Sequence, residues 1–132
     1  MNYLLDTHTF LWALFSPGKL SRSAAQNIKS PDNEVAVSVI TFWEISLKYA
    51  LGKLELKGIK PEELPDVAVE TGISILAVSP SDAASFHQLP RLAHKDPFDR
   101  FLIWQAIRQK MVLISKDSEF ENYRKFGLIT HW

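Results

Sequence analysis

Apolar positions along the chain switch repeatedly between short continuous runs and a three- to four-residue spacing. Tyr3-Leu4-Leu5 is a run that stops at Asp6-Thr7, after which Phe10, Leu11, Leu14 and Phe15 recur at helical intervals until Ser16-Pro17-Gly18 breaks the pattern. This predicts strand, turn, helix. Residues 20–28 predict a second short helix, with Ser21 as its cap, closed by the turn formers Ser30-Pro31-Asp32-Asn33. A valine-rich strand is expected over 34–39, then a helix carrying Ile40, Glu44, Leu47, Lys48 and Leu51 that ends at Gly52.

The same alternation continues to the end of the chain. Residues 61–71 predict a helix closed by Gly72, residues 73–78 a strand, and Ser79-Pro80-Ser81-Asp82 the opening of another helix. Asp96-Pro97 starts the longest apolar helix, carrying Phe98, Phe101, Leu102, Gln105, Ala106 and Gln109. A fourth strand over 111–115, a last helix with Phe120, Tyr123 and Phe126, and an edge strand over 128–130 complete the series. Strands separated by helical segments, with no two-residue hairpin signal, predict an α/β fold: a small parallel sheet of four to five strands with helices on both faces.

Composition narrows the picture. With 132 residues, 46% of them hydrophobic and 23% charged, one domain spanning 1–132 with a real core is expected, and disorder is disfavoured. Fifteen basic residues balance fifteen acidic ones, so the formal net charge is zero and any polyanion must be met by a local patch instead of bulk charge. The absence of cysteine removes disulfides, thiolate zinc sites, iron-sulfur clusters and cysteine nucleophiles, and agrees with a cytoplasmic setting. The apolar amino terminus lacks a basic lead and carries Asp6 and His8, which fits neither a secretory signal nor a membrane span.

The candidate chemistry lies in the carboxylates. Ligands of open parallel sheets bind beyond the carboxyl ends of the strands. Asp6 follows the first strand, Glu44 stands early in the helix after the second, Asp96 and Asp99 open the helix before the fourth, and Asp117 follows the fourth; Asp82 follows the third, offset by a turn. Each alone has an ordinary explanation, since Asp caps helices, Pro97 suits a first helical position, and Glu44 with Lys48 makes an i,i+4 pair worth about 0.2–0.5 kcal/mol. Capping does not explain why four separated segments bring acids to one end of the sheet. Two carboxylates about 4 Å apart repel by roughly 4 kcal/mol at an effective dielectric of 20. A divalent cation removes that cost, and oxygen ligands without thiolate favour Mg²⁺ or Mn²⁺ over Zn²⁺. Such an ion can polarise a phosphoryl oxygen and activate water, so hydrolysis of a phosphodiester needs no side-chain nucleophile.

Four segments resemble the PIN-domain nucleases, and within them the VapC-type toxins of type II toxin-antitoxin pairs. Leu4-Leu5-Asp6-Thr7-His8 is similar to the family's opening strand and first acid. Ser38-Val39-Ile40-Thr41-Phe42-Trp43-Glu44-Ile45 is similar to its glutamate helix, continued by Gly52-Lys53-Leu54. His94-Lys95-Asp96-Pro97-Phe98-Asp99-Arg100 resembles its third block, and Ser115-Lys116-Asp117 with Phe120 and Tyr123 its last. The likeness runs through nearly the whole chain in order, and the Asp-Pro-Phe-Asp-Arg block is its most specific part. Trp104 departs from the pattern, standing one turn beyond the third acid where the family often has a small residue.

The resemblance implies a PIN-like fold, Mg²⁺- or Mn²⁺-dependent endoribonuclease activity, a cognate antitoxin as partner and a homodimer; the amino-terminal pattern adds the expectation of no membrane involvement. It implies that Asp6, Glu44, Asp99 and Asp117 are catalytic metal ligands, directly or through water, with Thr7 and Ser115 holding carboxylates or waters and Asp96 in support. Lys48, Arg100 and Lys116 are the residues expected to contact RNA, with Lys53, Lys57, Lys60 and Lys95 continuing the basic path. His8 and His94 form no His-x-x-x-His pair and are expected to be structural. Trp12, Trp43, Trp104 and Trp132 are expected in the core or at a dimer contact in preference to base stacking.

Two other readings compete. A phosphoaspartyl phosphohydrolase would place a nucleophile at Asp6, but it needs a second acid two residues on, where His8-Thr9 stands; a receiver domain would need an acidic pair at the first strand. A non-catalytic dimeric module that binds an antitoxin-like partner would leave the acids as caps.

Overall fold

The computed structural model describes residues 1–132. Five strands, β1 (Asn2–Leu5), β2 (Glu34–Ser38), β3 (Ser74–Leu76), β4 (Val112–Ile114) and β5 (Ile129–His131), form one sheet in the order β3-β2-β1-β4-β5 with every pair parallel. Six α-helices connect them: α1 (Thr7–Phe15), α2 (Arg22–Lys29), α3 (Val39–Ala50), α4 (Leu64–Glu70), α5 (Pro80–Ser85) and α6 (Pro97–Gln109).

Alternate residues of the central strands are apolar on both sides, which is what a sheet covered on both faces requires. Tyr3, Leu5, Val35, Val37, Val112 and Ile114 face one layer, where they meet Phe10 of α1, Ala24 of α2, Ile45 of α3 and Leu64 and Ala68 of α4. Leu4, Ala36 and Leu113 face the other, against Ile103, Trp104 and Ala106 of α6 together with Leu89, Phe120, Tyr123 and Leu128. The chain leaves β1 toward β2 on one side, while β4 adds to β1 on the other. The crevice between the ends of β1 and β4 is therefore the point where strand order reverses.

Three expected elements differ in detail. The helix expected over 61–71 divides into a 3₁₀ turn at Pro61–Glu63 and α4, because Pro65 in a continuous helix would press its ring on the carbonyl of residue 61. The strand expected over 73–78 pairs only over Ser74–Leu76, since its neighbour β2 ends at Ser38 and turns into α3. The last helix is a nine-residue 3₁₀ segment, Ser118–Phe126. A threefold helix stacks residues three apart, and the apolar residues here are Phe120, Tyr123 and Phe126, all turned to the same core cluster. Gly127 ends that segment with φ of 104°, a left-handed conformation that a side chain rarely adopts. No helix is long and apolar enough to cross a membrane.

Candidate metal centre

Asp6 is the N-cap of α1. Its Oδ1 accepts the Thr9 amide at 2.8 Å, and its Oδ2 accepts the Ser115 hydroxyl, which arrives from the end of β4. Ser115 Oγ also accepts the Asp117 amide at 3.1 Å, so one hydroxyl links the acids that follow β1 and β4. Thr9 donates its own hydroxyl to the Ile114 carbonyl, holding α1 against the end of β4. Asp6 is only 5% exposed. Burial pushes its carboxyl above the ordinary range, although the Ser115 and Thr9 hydrogen bonds work in the other direction.

Asp96 caps α6 through Oδ1, which accepts the Asp99 amide at 2.9 Å, and Pro97 takes the first helical position. Asp99, on the first turn, is met by His94 Nε2 at 3.1 Å. Burial, reinforced by the charges of Asp96 and Glu44 and opposed by the His94 hydrogen bond, pushes the Asp99 carboxyl up to about 6. Asp117 caps the terminal 3₁₀ segment by accepting the Glu119 amide. Asp6, Asp99 and Asp117 line one cleft of about 290 Å³, with Lys116, His8, Trp12 and Phe120 completing its walls.

Glu44 is not among the residues that line this cleft. It is 2% exposed and is neutralised in place: Thr7 donates its hydroxyl to Oε1 at 2.6 Å, and Lys48 Nζ pairs with Oε2. Burial opposes the charge on Lys48, but the bond to Glu44 and the fields of Glu44, Asp96 and Asp99 raise its pKa above the ordinary lysine value. The i,i+4 pair anticipated for Glu44 and Lys48 is thus formed, which commits the Lys48 ammonium to a carboxylate. Replacing Thr7 by Val should remove a hydrogen bond to a buried charge and cost about 1.5–3 kcal/mol in chemical denaturation, with Glu44 left to Lys48 alone.

Arg100 is turned away from the acids. Its Nη2 donates to the Leu89 and Pro90 carbonyls, and its guanidinium lies over Phe86, so it ties the loop before α6 to that helix. Lys116, by contrast, borders the cleft. Asp82 is remote from the cluster; Arg108 and Gln109 bind its carboxylate, and their hydrogen bonds outweigh burial and hold its pKa below the ordinary value. Trp104, the departure in the third block, donates its indole N–H to the Asp82 carbonyl and the Ser85 hydroxyl, so the large side chain fastens α6 to α5. Trp12 lies against Trp132 and on the cleft wall, whereas Trp43 is 60% exposed and meets Phe98 edge to face.

Two residues that the chain pattern did not single out as ligands, and that do not line the cleft, stand with Asp117 at its edge. Donor atoms of His94, Asp117 and Glu119 lie within 4.8 Å of one another, a group capable of holding a divalent cation. Glu119 carries no motif beyond its position two residues after Asp117, and His94 gains its place through the loop before α6. The donors fit such an ion: carboxylates predominate, and Asp99, raised chiefly by burial and then by the charges of Asp96 and Glu44, would be favoured in its ionised form by a cation.

A five-stranded parallel sheet with acids gathered at its switch point is the architecture of PIN domains, and the PIN domain family model matches residues 3–126. The chain belongs to that family, and it is homologous to the VapC toxins. It is 30% identical over 129 residues to Ribonuclease VapC22 of Mycobacterium tuberculosis, covering 98% of this chain and 97% of that one. Its fold is shared by VapBC2 from Rickettsia felis, a complex solved with a DNA fragment from its promoter, at TM-score 0.72 and 19% identity over 100% of this chain and 99% of the other. VapBC-1 from nontypeable Haemophilus influenzae matches at TM-score 0.60 and 17% identity, covering 99% of this chain and 97% of that one.

Proposed function

We propose that the chain is a divalent-cation-dependent endoribonuclease, the toxin of a type II toxin-antitoxin pair, working in the cytoplasm. The observation that carries the reading is the meeting of Asp6, Asp99 and Asp117 in one cleft at the switch point, with Glu44 close enough for its charge to act on Asp99. The named activity of the Mycobacterium tuberculosis relative supports it. Asp6, Asp99 and Asp117, with Glu44 through water, are the residues that would hold Mg²⁺ or Mn²⁺. The chemistry supplied by a bound cation is polarisation of the phosphodiester and activation of water for hydrolysis.

The chain's own groups prepare that chemistry. Ser115 fixes the Asp6 carboxylate and the Asp117 backbone together, Thr7 orients Glu44, and Asp96 sets the start of α6 so that Asp99 faces the cleft. Lys116, at the cleft and adjacent in sequence to Asp117, is the cation best placed to attract an RNA phosphate. The test is incubation of the purified protein with transfer, ribosomal and messenger RNA. Cleavage is expected with Mg²⁺ or Mn²⁺ and absent in chelator; cleavage undiminished by chelator, or none of any RNA with either ion, would refute it. A binding module without activity is separated by calorimetric titration, since such a module need not take up Mn²⁺.

An antitoxin and a second copy of the chain are the proposed partners. The two solved structures that share this fold are of VapBC proteins. On this chain, Val39, Trp43 and Leu47 are exposed apolar residues of one helix, and Val39 and Trp43 border a hollow of about 470 Å³ with Phe42, Pro61 and Pro65. Replacing Trp43 by Glu is expected to shift the protein to a monomer in light-scattering chromatography while the fold persists; an unchanged mass would remove this face from the dimer.

A further inference from the structure

We infer that His94 and Glu119 are themselves ligands of the cation, giving the site a nitrogen donor that makes it prefer Mn²⁺ to Mg²⁺. The inference rests on the nuclease reading above and adds the identity of the ion and of two ligands. His94 Nε2 lies 3.1 Å from Asp99 Oδ2 and 3.9 Å from Glu119 Oε2, and Asp117 completes a group whose donors lie within 4.8 Å. With metal-to-donor distances near 2.1 Å, donors on one ion stand roughly 3 to 4 Å apart. The imidazole therefore lies within that spacing of Asp99 and Glu119, and Asp117 stands close enough to His94 and Glu119 for a small turn of its exposed side chain to bring it to the same ion.

The ring is also built in as a ligand is. Its side chain is 7% exposed, it packs against Phe120 and Tyr123, and its outer nitrogen Nδ1 lies 3.4 Å from Tyr123 Oη. Metal-bound imidazoles are oriented by such an outer partner. Glu119, whose side chain is 60% exposed, reaches the same point from the terminal 3₁₀ segment, which Asp117 caps through the Glu119 amide. Mg²⁺ takes oxygen ligands and keeps its waters, whereas first-row transition ions accept imidazole, so a nitrogen here discriminates between them.

The test is pulsed electron paramagnetic resonance of the unmodified protein loaded with Mn²⁺, alongside titration of Mn²⁺ and Mg²⁺. A ¹⁴N coupling to Mn²⁺ is expected, lost in His94→Gln and kept in His8→Gln, whose parent residue also borders the cleft. Mn²⁺ affinity should fall at least about tenfold in His94→Gln, and several-fold in Glu119→Gln, while Mg²⁺ affinity changes less. Mn²⁺ bound with oxygen ligands only, or a coupling that vanishes with His8 instead, overturns the inference and leaves the nuclease reading standing. Uptake of Mg²⁺ without Mn²⁺ overturns the inference alone, and uptake of neither ion overturns both.

Discussion

Asp6→Asn is expected to reduce metal-dependent RNA cleavage by more than about a hundredfold while leaving a cooperatively folded chain. The amide keeps an oxygen that can cap α1 by accepting the Thr9 N–H, and its NH₂ can donate to Ser115 Oγ where the carboxylate now accepts. What it loses is the charge. Because burial raises the Asp6 pKa, the ionised carboxylate is held in place at a cost in the metal-free protein. Without metal the variant should be as stable as the parent, or more stable by about 1 kcal/mol. Cleavage assays and thermal melts with and without Mn²⁺ read the two effects separately. Full activity would remove Asp6 from the site, and loss of the folding transition would make it structural.

The second large effect is on pH. The Asp99 carboxyl titrates near 6 in the native chain against an ordinary value of about 4. Between those values the native state holds more protons than the unfolded one, so this group's contribution to stability is greatest at low pH and is lost as pH rises through about 6. The carboxyl is partly exposed, so the difference is on the order of 1 kcal/mol. Asp99→Asn, compared with the parent in chelator, should gain stability at pH 7 and show little gain near pH 4. Adding Mn²⁺ should reverse the order at pH 7, since the parent binds the ion and the variant does so poorly. The check is chemical denaturation at pH 4, 5, 6 and 7 under both conditions. A parent-minus-variant difference that does not change with pH would show that Asp99 carries no raised pKa.

Much of this protein follows from local rules. Apolar runs of strand length, capping residues such as Ser21, Asp96 and Asp6, and prolines at helix starts mark the elements because their causes are contained within a few residues. The 3₁₀ character of Ser118–Phe126 was also open to view in the threefold spacing of its aromatics, a period that is easily taken for an α-helix over so short a stretch. Where side chains of different segments compete, the local rules stop. Lys48 and Arg100 have the chemistry to meet phosphate, but one is held by Glu44 and the other by two carbonyls and a phenyl ring.

Sequence by itself determined the order of strands and helices, the acids that end up beyond the strand tips, and membership of the PIN family, since each depends on periodicity or on short motifs. Only the tertiary structure decided that Asp6, Asp99 and Asp117 share a cleft, that Glu44 does not line it and is already paired, and that His94 and Glu119 stand with Asp117. The physical reason is the strand order. Placing β4 beside β1 brings together residues more than a hundred positions apart, and the charge each one feels is set by neighbours that the linear chain does not specify.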